Sequence, residues 1–319
     1  MLKVVGVLLL LTLYIVYKVN QKFPVDSSVE IKKYVSTFQI GEILKEKKVV
    51  DSSYIFFLYS KLKGNNLKAG YYEFKGDLSI SDIYKIMREG FVKEYIFTII
   101  PGDNLFIIGN KLQREGILNK EEFLNFTLNS ENVKRYELEG ESFEGYFPPE
   151  TYRIPFKAGI EDVVGIFLRE FRKKYLPYKE KFSNKINFYQ GMIIASMIEK
   201  EAFLEEEKPK IAGVILNRLE KDMRLQIDPT VIYALVIQNS YTGKLKRKDL
   251  TVHSPYNTYR NKGLPPTPIC SFTLSSLEAV LNPQRHNYLY YVLSKDKKSH
   301  VFSQDYETHL KNIKQKLKD

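Results

Sequence analysis

The stretch from residue 187 to residue 203, NFYQGMIIASMIEKEAF, is predicted to form one helix. At helical spacing, one face combines Glu201 with three apolar residues, Ile194, Met197 and Ile198. Glu199 shares its face with Phe203 and with three small residues, Ala195, Ser196 and Ala202. The small residues leave room for a ligand above Glu199, and partial burial beside Phe203 would raise the pKa of its carboxyl toward that of a general acid. Spacing alone leaves both glutamates open, because a glutamate in a charged run is usually a solvated surface residue.

Length and composition indicate a folded protein of about two domains. The chain has 319 residues, of which 44% are hydrophobic and 27% charged, so it can bury a core. Lysine and arginine exceed aspartate and glutamate by 49 to 38, a surplus that favours anionic surroundings such as lipid headgroups, wall polymer or nucleic acid. Since the lysines are scattered and no arginine-rich helix or RNA-binding motif occurs, nucleic acid is the least favoured of the three.

Cysteine and histidine give no pattern that predicts a metal or a redox centre. Cys270 is the single cysteine, so an internal disulfide is excluded. The four histidines have no metal-ligand spacing of the HExxH kind: His253, His286, His300 and His309. We therefore expect neither a structural metal nor a cofactor.

Residues 4–19, VVGVLLLLTLYIVYKV, are almost entirely apolar and are flanked by Lys3, Lys18 and Lys22. Such a run is typical of a signal sequence or a membrane anchor. No Ala-x-Ala cleavage pattern follows it, so we predict an uncleaved transmembrane anchor over residues 1–22 rather than a signal sequence or a buried core helix. The flanking charges are nearly balanced and leave the orientation open.

The rest of the chain predicts an α+β protein with two unequal domains. Residues 23–136 alternate short strands and helices: a strand over Lys68–Phe74, a helix between Ser79 and Gly90, and a strand over Tyr95–Ile100 before a helix from Leu105. Residues 137–319 are richer in helical periodicity. We expect a small α+β subdomain followed by a larger domain of helices and a β-hairpin.

The larger domain carries the polar clusters that could support chemistry. Asp228-Pro229 opens a predicted helix, where Asp228 is expected as a cap rather than a catalytic carboxylate. Gln226 and Thr230 flank that turn. Two proline-rich loops hold aromatic and polar side chains suited to carbohydrate, including Glu150 and Tyr152 in the first loop and Asn257 and Tyr259 in the second. A hairpin over residues 288–303 follows, and its His300 and the later His309 are expected to be structural.

Several of these stretches occur together as a series of motifs. They are SFEGYFPPETY (142–152), IIASMIEKEA (193–202), IAGVILNRLEKDMRLQIDPTVIYAL (211–235), SPYNTYRNKGLPPTPI (254–269) and the hairpin strands YLYYVL and HVFS. In this order they resemble the endolytic murein transglycosylase family, also called the MltG or YceG-like family. Pro148, Ala234, Asp305 and Thr308 depart from the family pattern.

The resemblance implies roles for particular residues. It implies that Glu199, the first glutamate of the EKE motif, is the catalytic residue. It implies that residues 96–122 form a LysM-like module that helps to hold glycan. Family motif positions that would line or support the cleft are occupied by Gln226, Asp228, Thr230, Tyr233, Asn257 and Tyr259.

The resemblance also implies an activity. Members cleave the MurNAc–GlcNAc bond inside peptidoglycan glycan strands, leave 1,6-anhydroMurNAc ends and would so terminate nascent strands. One carboxyl group suffices, because it can first donate a proton to the leaving oxygen and then accept one from the MurNAc 6-hydroxyl. The expected site of action is the outer face of the cytoplasmic membrane, with a single span and with peptidoglycan synthases, the penicillin-binding proteins, as partners.

Three other functions stay open at this point. A hydrolase could use Glu199 with Asp228 or Glu150 as a second carboxylate, because ordinary glycosidases need two. A LysM-like glycan-binding scaffold that recruits wall synthases would need no catalytic residue. A nucleic-acid binder is supported by charge alone.

Overall fold

The computed structural model describes residues 2–183 and 185–317. Their α-helices are α1 (Leu2–Asn20), α2 (Thr37–Glu46), α3 (Ser53–Lys63), α4 (Ile80–Glu89), α5 (Leu105–Arg114), α6 (Lys120–Thr127), α7 (Ser130–Arg135), α8 (Ile160–Lys174), α9 (Phe188–Glu201), α10 (Lys208–Glu220), α11 (Asp228–Ile237), α12 (Leu274–Leu281) and α13 (Tyr306–Leu317). Their strands are β1 (Phe23–Ile31), β2 (Gly70–Leu78), β3 (Glu94–Ile99), β4 (Glu150–Pro155), β5 (Tyr290–Leu293) and β6 (His300–Ser303). Short 3-10 helices cover Leu176–Lys181, Glu205–Glu207 and Arg247–Thr251. The predicted α+β class is confirmed.

The chain divides into two compact units. The first unit extends to Ile96 and includes Arg153–Ala158, and the second comprises Phe97–Tyr152 and the chain from Gly159 onward. The sequence placed a boundary at residue 136, whereas the structure divides the chain at residue 96, so that residues 97–136 lie in the second unit. Strand β3 pairs with β4, which is distant in sequence, and spacing alone could not predict that pairing.

The first unit is built on the antiparallel pair β1 and β2, which are in register from Phe23 opposite Leu78 to Ile31 opposite Gly70. Helices α2 to α4 cover the pair around a core that includes Phe56, Tyr72, Phe74 and Ile83. The predicted ends of α4 are confirmed. Ser79 forms a capping box with Asp82, and Gly90 ends the helix in the left-handed conformation at φ 77°.

The second unit is organised around α9, which realises the helix predicted from residues 187–203. Asn187 caps it reciprocally with Gln190, and every residue from Gly191 to Ile198 is buried. Because this helix is apolar almost all round, α10, α11 and α12 can pack against it. Its last turn, with Glu199 and Glu201, is thereby fixed in the middle of the unit.

The predicted hairpin is also confirmed. Strands β5 and β6 pair antiparallel from Tyr290 opposite Ser303 to Leu293 opposite His300, and α13 follows. Glu207 ties the hairpin to the helical part of the unit, because its carboxylate accepts hydrogen bonds from His300 N at 2.8 Å and from His300 Nδ1 at 2.7 Å. His300 therefore has the structural role that the sequence predicted.

The predicted N-terminal anchor forms a helix but is not supported as a membrane span. Helix α1 covers the apolar run, and Lys18 near its end pairs with Asp51 at 2.8 Å. Among the residues that the structure describes, none of the helices combines the length and the apolar character needed to cross a membrane.

Candidate active site

A cleft of about 580 Å³ opens in the second unit beside the C-terminal end of α9. Its walls come from α9, α10, the turn before α11, the loop after Val252 and the β5–β6 hairpin. The polar and aromatic lining residues are Lys200, Glu201, Arg218, Gln226, Asp228, Tyr259, Tyr290, Tyr291, His300, Tyr306 and His309. Carboxyl groups, phenols and an amide in one open groove suit a ligand rich in hydroxyl groups.

Glu201, the last residue of α9, lies half-buried in this cleft. Burial, together with the negative charge of Asp228, raises the pKa of its carboxyl to about 7, although a hydrogen bond from Tyr291 and the charge of Arg218 act to lower it. A carboxyl with such a pKa is partly protonated at neutral pH. Glu201 can therefore donate a proton and take one back, as a general acid and base must.

Asp228, Gln226 and Tyr259 form one wall of the cleft. The Tyr259 hydroxyl donates to Asp228 Oδ1 at 2.6 Å. The prediction that Asp228 caps α11 is wrong, because Ile227 occupies the N-cap position and Asp228 is the first helical residue. The side chain of Asp228 makes no capping hydrogen bond within the described part of the chain and lies in the cleft. Gln226 lies just before it at a left-handed φ of 51°, a strained conformation that directs the chain into the helix.

Arg218 of α10 forms hydrogen bonds to two separate segments that line the cleft. Its guanidinium donates to Leu225 O at 2.6 Å on one side and to Leu289 O at 2.6 Å on the other. It also lies 5.1 Å from the centre of the Tyr290 ring. The segments that end in Asp228 and in Tyr291 are thus held to the same helix by a buried cation.

Tyr291 is a site residue that the sequence did not single out. It belongs to β5, its hydroxyl hydrogen-bonds to Glu201, and its ring packs edge to face on His300 at 5.3 Å. The alternating YLYYVL motif predicted the strand, but alternation cannot show which tyrosine faces a helix end elsewhere in the chain. Burial raises the pKa of its phenol well above the usual value, which keeps Tyr291 a hydrogen-bond donor.

Glu199, the residue expected to be catalytic, is directed away from the cleft. Its Oε2 accepts hydrogen bonds from Thr273 N at 2.9 Å, from Thr273 Oγ1 at 2.7 Å and from Ser276 Oγ at 2.5 Å. Lys208 Nζ lies 3.6 Å from the same oxygen, and the Glu199 side chain is 7% exposed. These contacts make Glu199 a buried anchor for the start of α12, where a helix N-terminus favours negative charge.

The other candidate binding residues do not line the cleft. Glu150 pairs with Lys174, which lowers the pKa of its carboxyl, and the Tyr152 hydroxyl donates to Pro148 O at 2.7 Å. Thr230 donates to Ile227 O at 2.7 Å, and the Tyr233 hydroxyl donates to Glu144 Oε2 at 2.8 Å. These four residues stabilise the surrounding structure.

Asn257 stabilises the loop that carries Tyr259. Its Nδ2 donates to Leu250 O at 3.0 Å and to Val252 O at 2.8 Å, and its Oδ1 accepts from Tyr259 N at 3.0 Å. The side chain is fully buried and so shapes the loop that presents Tyr259. Of the substrate-binding residues predicted from the sequence, the structure brings together Gln226, Asp228 and Tyr259 in the cleft itself.

Metal-dependent chemistry has no candidate ligand set in the part of the chain that the structure describes. None of the His, Cys, Asp and Glu side chains there form a group of three or more that could hold a metal ion.

The fold and the cleft together define a class of protein. A carboxyl that is protonated near pH 7, set beside a second carboxylate and several tyrosines in an open groove, is typical of enzymes that break glycosidic bonds by proton transfer. The model of the YceG-like family matches residues 29–315. The chain belongs to the YceG-like family.

Curated relatives and a solved structure agree with this assignment. A Bacillus subtilis protein named endolytic murein transglycosylase is 33% identical over 92% of this chain and 83% of its own length. A Streptococcus pneumoniae protein of the same name is 30% identical over 93% of this chain, which spans 60% of that relative. The crystal structure of a YceG-like protein from Listeria monocytogenes, 33% identical, aligns with a TM-score of 0.62 over 91% of this chain and 99% of that one.

Proposed function

We propose that this protein is a lytic transglycosylase that cuts the glycan strands of peptidoglycan, with Glu201 as its general acid and base. The observation that carries the proposal is the position of Glu201, a carboxyl with a pKa of about 7 in the wall of an open cleft. The names of the curated relatives, endolytic murein transglycosylase, supply the substrate class. Glu199 is the rival for this role, favoured by the sequence and disfavoured by its buried contacts.

The proposed reaction needs one carboxyl group. Protonated Glu201 donates its proton to the glycosidic oxygen between MurNAc and GlcNAc, and the bond from that oxygen to the MurNAc anomeric carbon breaks. The Glu201 carboxylate then removes the proton of the MurNAc 6-hydroxyl, whose oxygen bonds to the same anomeric carbon. The products are a GlcNAc 4-hydroxyl end and a 1,6-anhydroMurNAc end, and Glu201 is protonated again. Water is not consumed, and the intramolecular attack has the advantage of a high effective molarity.

A hydrolase is the second candidate, because Asp228 lies in the same cleft as Glu201. A pair of carboxyl groups could activate water in the manner of ordinary glycosidases. The Tyr259 hydroxyl, 2.6 Å from Asp228 Oδ1, occupies one of the positions from which Asp228 would contact water. We therefore place the hydrolase second. Its product would be a reducing MurNAc end.

We further propose that the enzyme acts at a membrane surface and beside the synthases that make the strands. The support for a membrane is α1, which exposes large apolar side chains that include Val5, Leu10 and Tyr17, with Leu10 at 67%. The net charge of +11 favours anionic lipid headgroups as well as wall polymer. Cutting inside a strand at this place would end its elongation.

The decisive experiment compares Glu201→Gln with Glu199→Gln in the full chain, using purified peptidoglycan as substrate. We expect Glu201→Gln to lower the rate by at least about 100-fold, the usual minimum for a general acid. Glu199→Gln is expected to retain activity within about tenfold but to unfold at a lower temperature, because it weakens charged hydrogen bonds to α12. Mass spectrometry of the released fragments measures the anhydro ends, and thermal melting measures stability.

The results for Glu201→Gln and Glu199→Gln distinguish the possible catalytic residues and the possible reactions. Full activity of Glu201→Gln, or loss of activity in a folded Glu199→Gln variant, would return the catalytic role to Glu199. Reducing ends instead of anhydro ends would make the protein a hydrolase. A folded native protein that binds glycan and releases no fragments would be the LysM-like scaffold.

A further inference from the structure

Four side chains from different elements surround the carboxyl group of Glu201. Asp228 begins α11, Arg218 lies on α10, Tyr259 follows the loop from Val252, and Tyr291 lies on β5. Residues this far apart in sequence meet because of the packing of the second unit. Their charges and hydroxyl groups act on Glu201 within the same cleft.

Asp228 is held in a defined place. Its Oδ1 accepts the hydrogen bond from Tyr259, whose backbone N donates to the buried Asn257 side chain. Burial and the bond to Asp228 raise the pKa of the Tyr259 phenol, so this hydroxyl remains a donor. The hydrogen bond from Tyr259 thus holds the negative charge of Asp228 in the wall of the cleft, where it acts against ionisation of Glu201.

Tyr291 is also held in place in the cleft lining, and it has the opposite effect on Glu201. Its ring packs on His300, which is fixed by two hydrogen bonds to Glu207. Its hydroxyl donates to Glu201, and a hydrogen bond donated to a carboxyl oxygen stabilises the ionised form. The two neighbours thus favour different protonation states of one carboxyl group.

We propose that Asp228 and Tyr291 are positioning residues that balance Glu201 between its two tasks in the reaction. Asp228 favours the neutral carboxyl that must give a proton at the start. Tyr291 stabilises the carboxylate that remains and that must then accept a proton from the sugar hydroxyl. This inference rests on the proposed role of Glu201 as general acid and base.

Other charged and titratable groups face the same space as Glu201. Arg218 favours the Glu201 carboxylate, but its guanidinium is committed to Leu225 O and Leu289 O. Burial lowers the pKa of His309, which therefore brings little positive charge near neutral pH. Lys200 is exposed and donates to Gly102 O at 3.3 Å. Tyr290, Tyr306 and His300 also line the cleft. Asp228 is the negative charge that acts on Glu201 in this arrangement.

The test uses Asp228→Asn and Tyr291→Phe, which preserve shape and remove one charge and one donor. The carboxyl carbon of Glu201 is titrated by NMR in the full chain labelled at glutamate, and assigned by the signal lost in Glu201→Gln. We expect the titration midpoint to fall in Asp228→Asn and to rise in Tyr291→Phe, each by about half a pH unit or more. The pH above which the turnover of peptidoglycan declines should shift in the same direction as the titration midpoint.

Matched controls are Asp222→Asn and Tyr178→Phe, whose side chains contact Lys262 and Glu278 outside the cleft. Neither control should move the Glu201 midpoint. Midpoints that stay fixed in both cleft variants, or move in the same direction, would overturn the inference. Opposite shifts in the NMR titration without any change in the turnover profile would keep the tuning but refute Glu201 as the catalytic group, so the two proposals fail separately.

Discussion

Glu144 is a buried acid that should make the stability of the protein depend on pH. Its Oε2 accepts hydrogen bonds from Leu105 N at 3.1 Å and from the Tyr233 hydroxyl, and its side chain has no exposed surface. Burial raises the pKa of its carboxyl from 4.5 to about 7. The folded state therefore holds the proton more tightly than the unfolded state, so stability is full below about pH 4.5 and is lost as the pH rises through 7.

We predict that Glu144→Gln reduces this pH dependence. Between pH 5 and pH 8 the native protein should lose stability on the order of 3 kcal/mol through this group, because one pKa unit corresponds to about 1.4 kcal/mol. The glutamine variant should lose less over the same range. Urea denaturation at both pH values gives the comparison, with the exposed Glu307→Gln as control. Equal losses in native and Glu144→Gln proteins would contradict the prediction.

The two glutamates of the EKE motif show what the sequence could and could not decide at the residue scale. Residues two positions apart on a helix are separated by about 200°, so spacing correctly predicted that Glu199 and Glu201 face different ways. The small residues beside Glu199 were taken to leave room for a ligand. In the structure that room is filled by the chain itself, since Ser196 Oγ accepts from Ile269 N at 3.0 Å and Cys270 Sγ donates to Ser196 O.

At the scale of elements, local patterns predicted the helices and the hairpin well. Alternation and capping residues are properties of neighbours in sequence, and α4, α9 and the β5–β6 pair followed from them. The pairing of β3 with β4, and the meeting of Tyr291 with Glu201, depend on packing between distant segments. For that reason the sequence predicted only part of the cleft lining. It identified Gln226, Asp228 and Tyr259. It did not identify Arg218 and Tyr291.

The loop that carries Tyr259 provides a prediction at this scale. Asn257→Ala removes two hydrogen bonds to backbone carbonyls and the acceptor for Tyr259 N. We expect a loss of stability on the order of 2 kcal/mol, at about 1 kcal/mol for each bond less some relaxation. Because Tyr259 would lose its fixed place, KM for peptidoglycan fragments should rise several-fold. Asn282→Ala, an exposed helix end, is the control for thermal melting and kinetics, and an equal effect of both changes would argue against a supporting role of Asn257.

At the scale of the whole molecule, surface charge and exposed apolar surface are properties that the sequence reveals directly. The surplus of eleven positive charges is spread over the chain, and the apolar run at the N-terminus forms α1. Near the end of this helix, contacts bury Val19, and Lys18 pairs with Asp51. Leu9, Leu10 and Leu13 are exposed large apolar side chains, which soluble surfaces seldom group together.

We therefore predict that the full chain binds vesicles of phosphatidylglycerol and phosphatidylcholine through α1. The double change Leu9→Asn and Leu13→Asn replaces side chains that are 62% and 58% exposed, and should weaken binding at least several-fold. Leu62→Asn with Phe91→Asn, which removes apolar surface elsewhere in the same unit, should leave binding unchanged. Flotation of the three proteins with the vesicles measures binding, and an alkaline wash distinguishes surface attachment from insertion. Equal binding by native protein and the α1 variant would show that charge, and not this helix, holds the enzyme at a membrane.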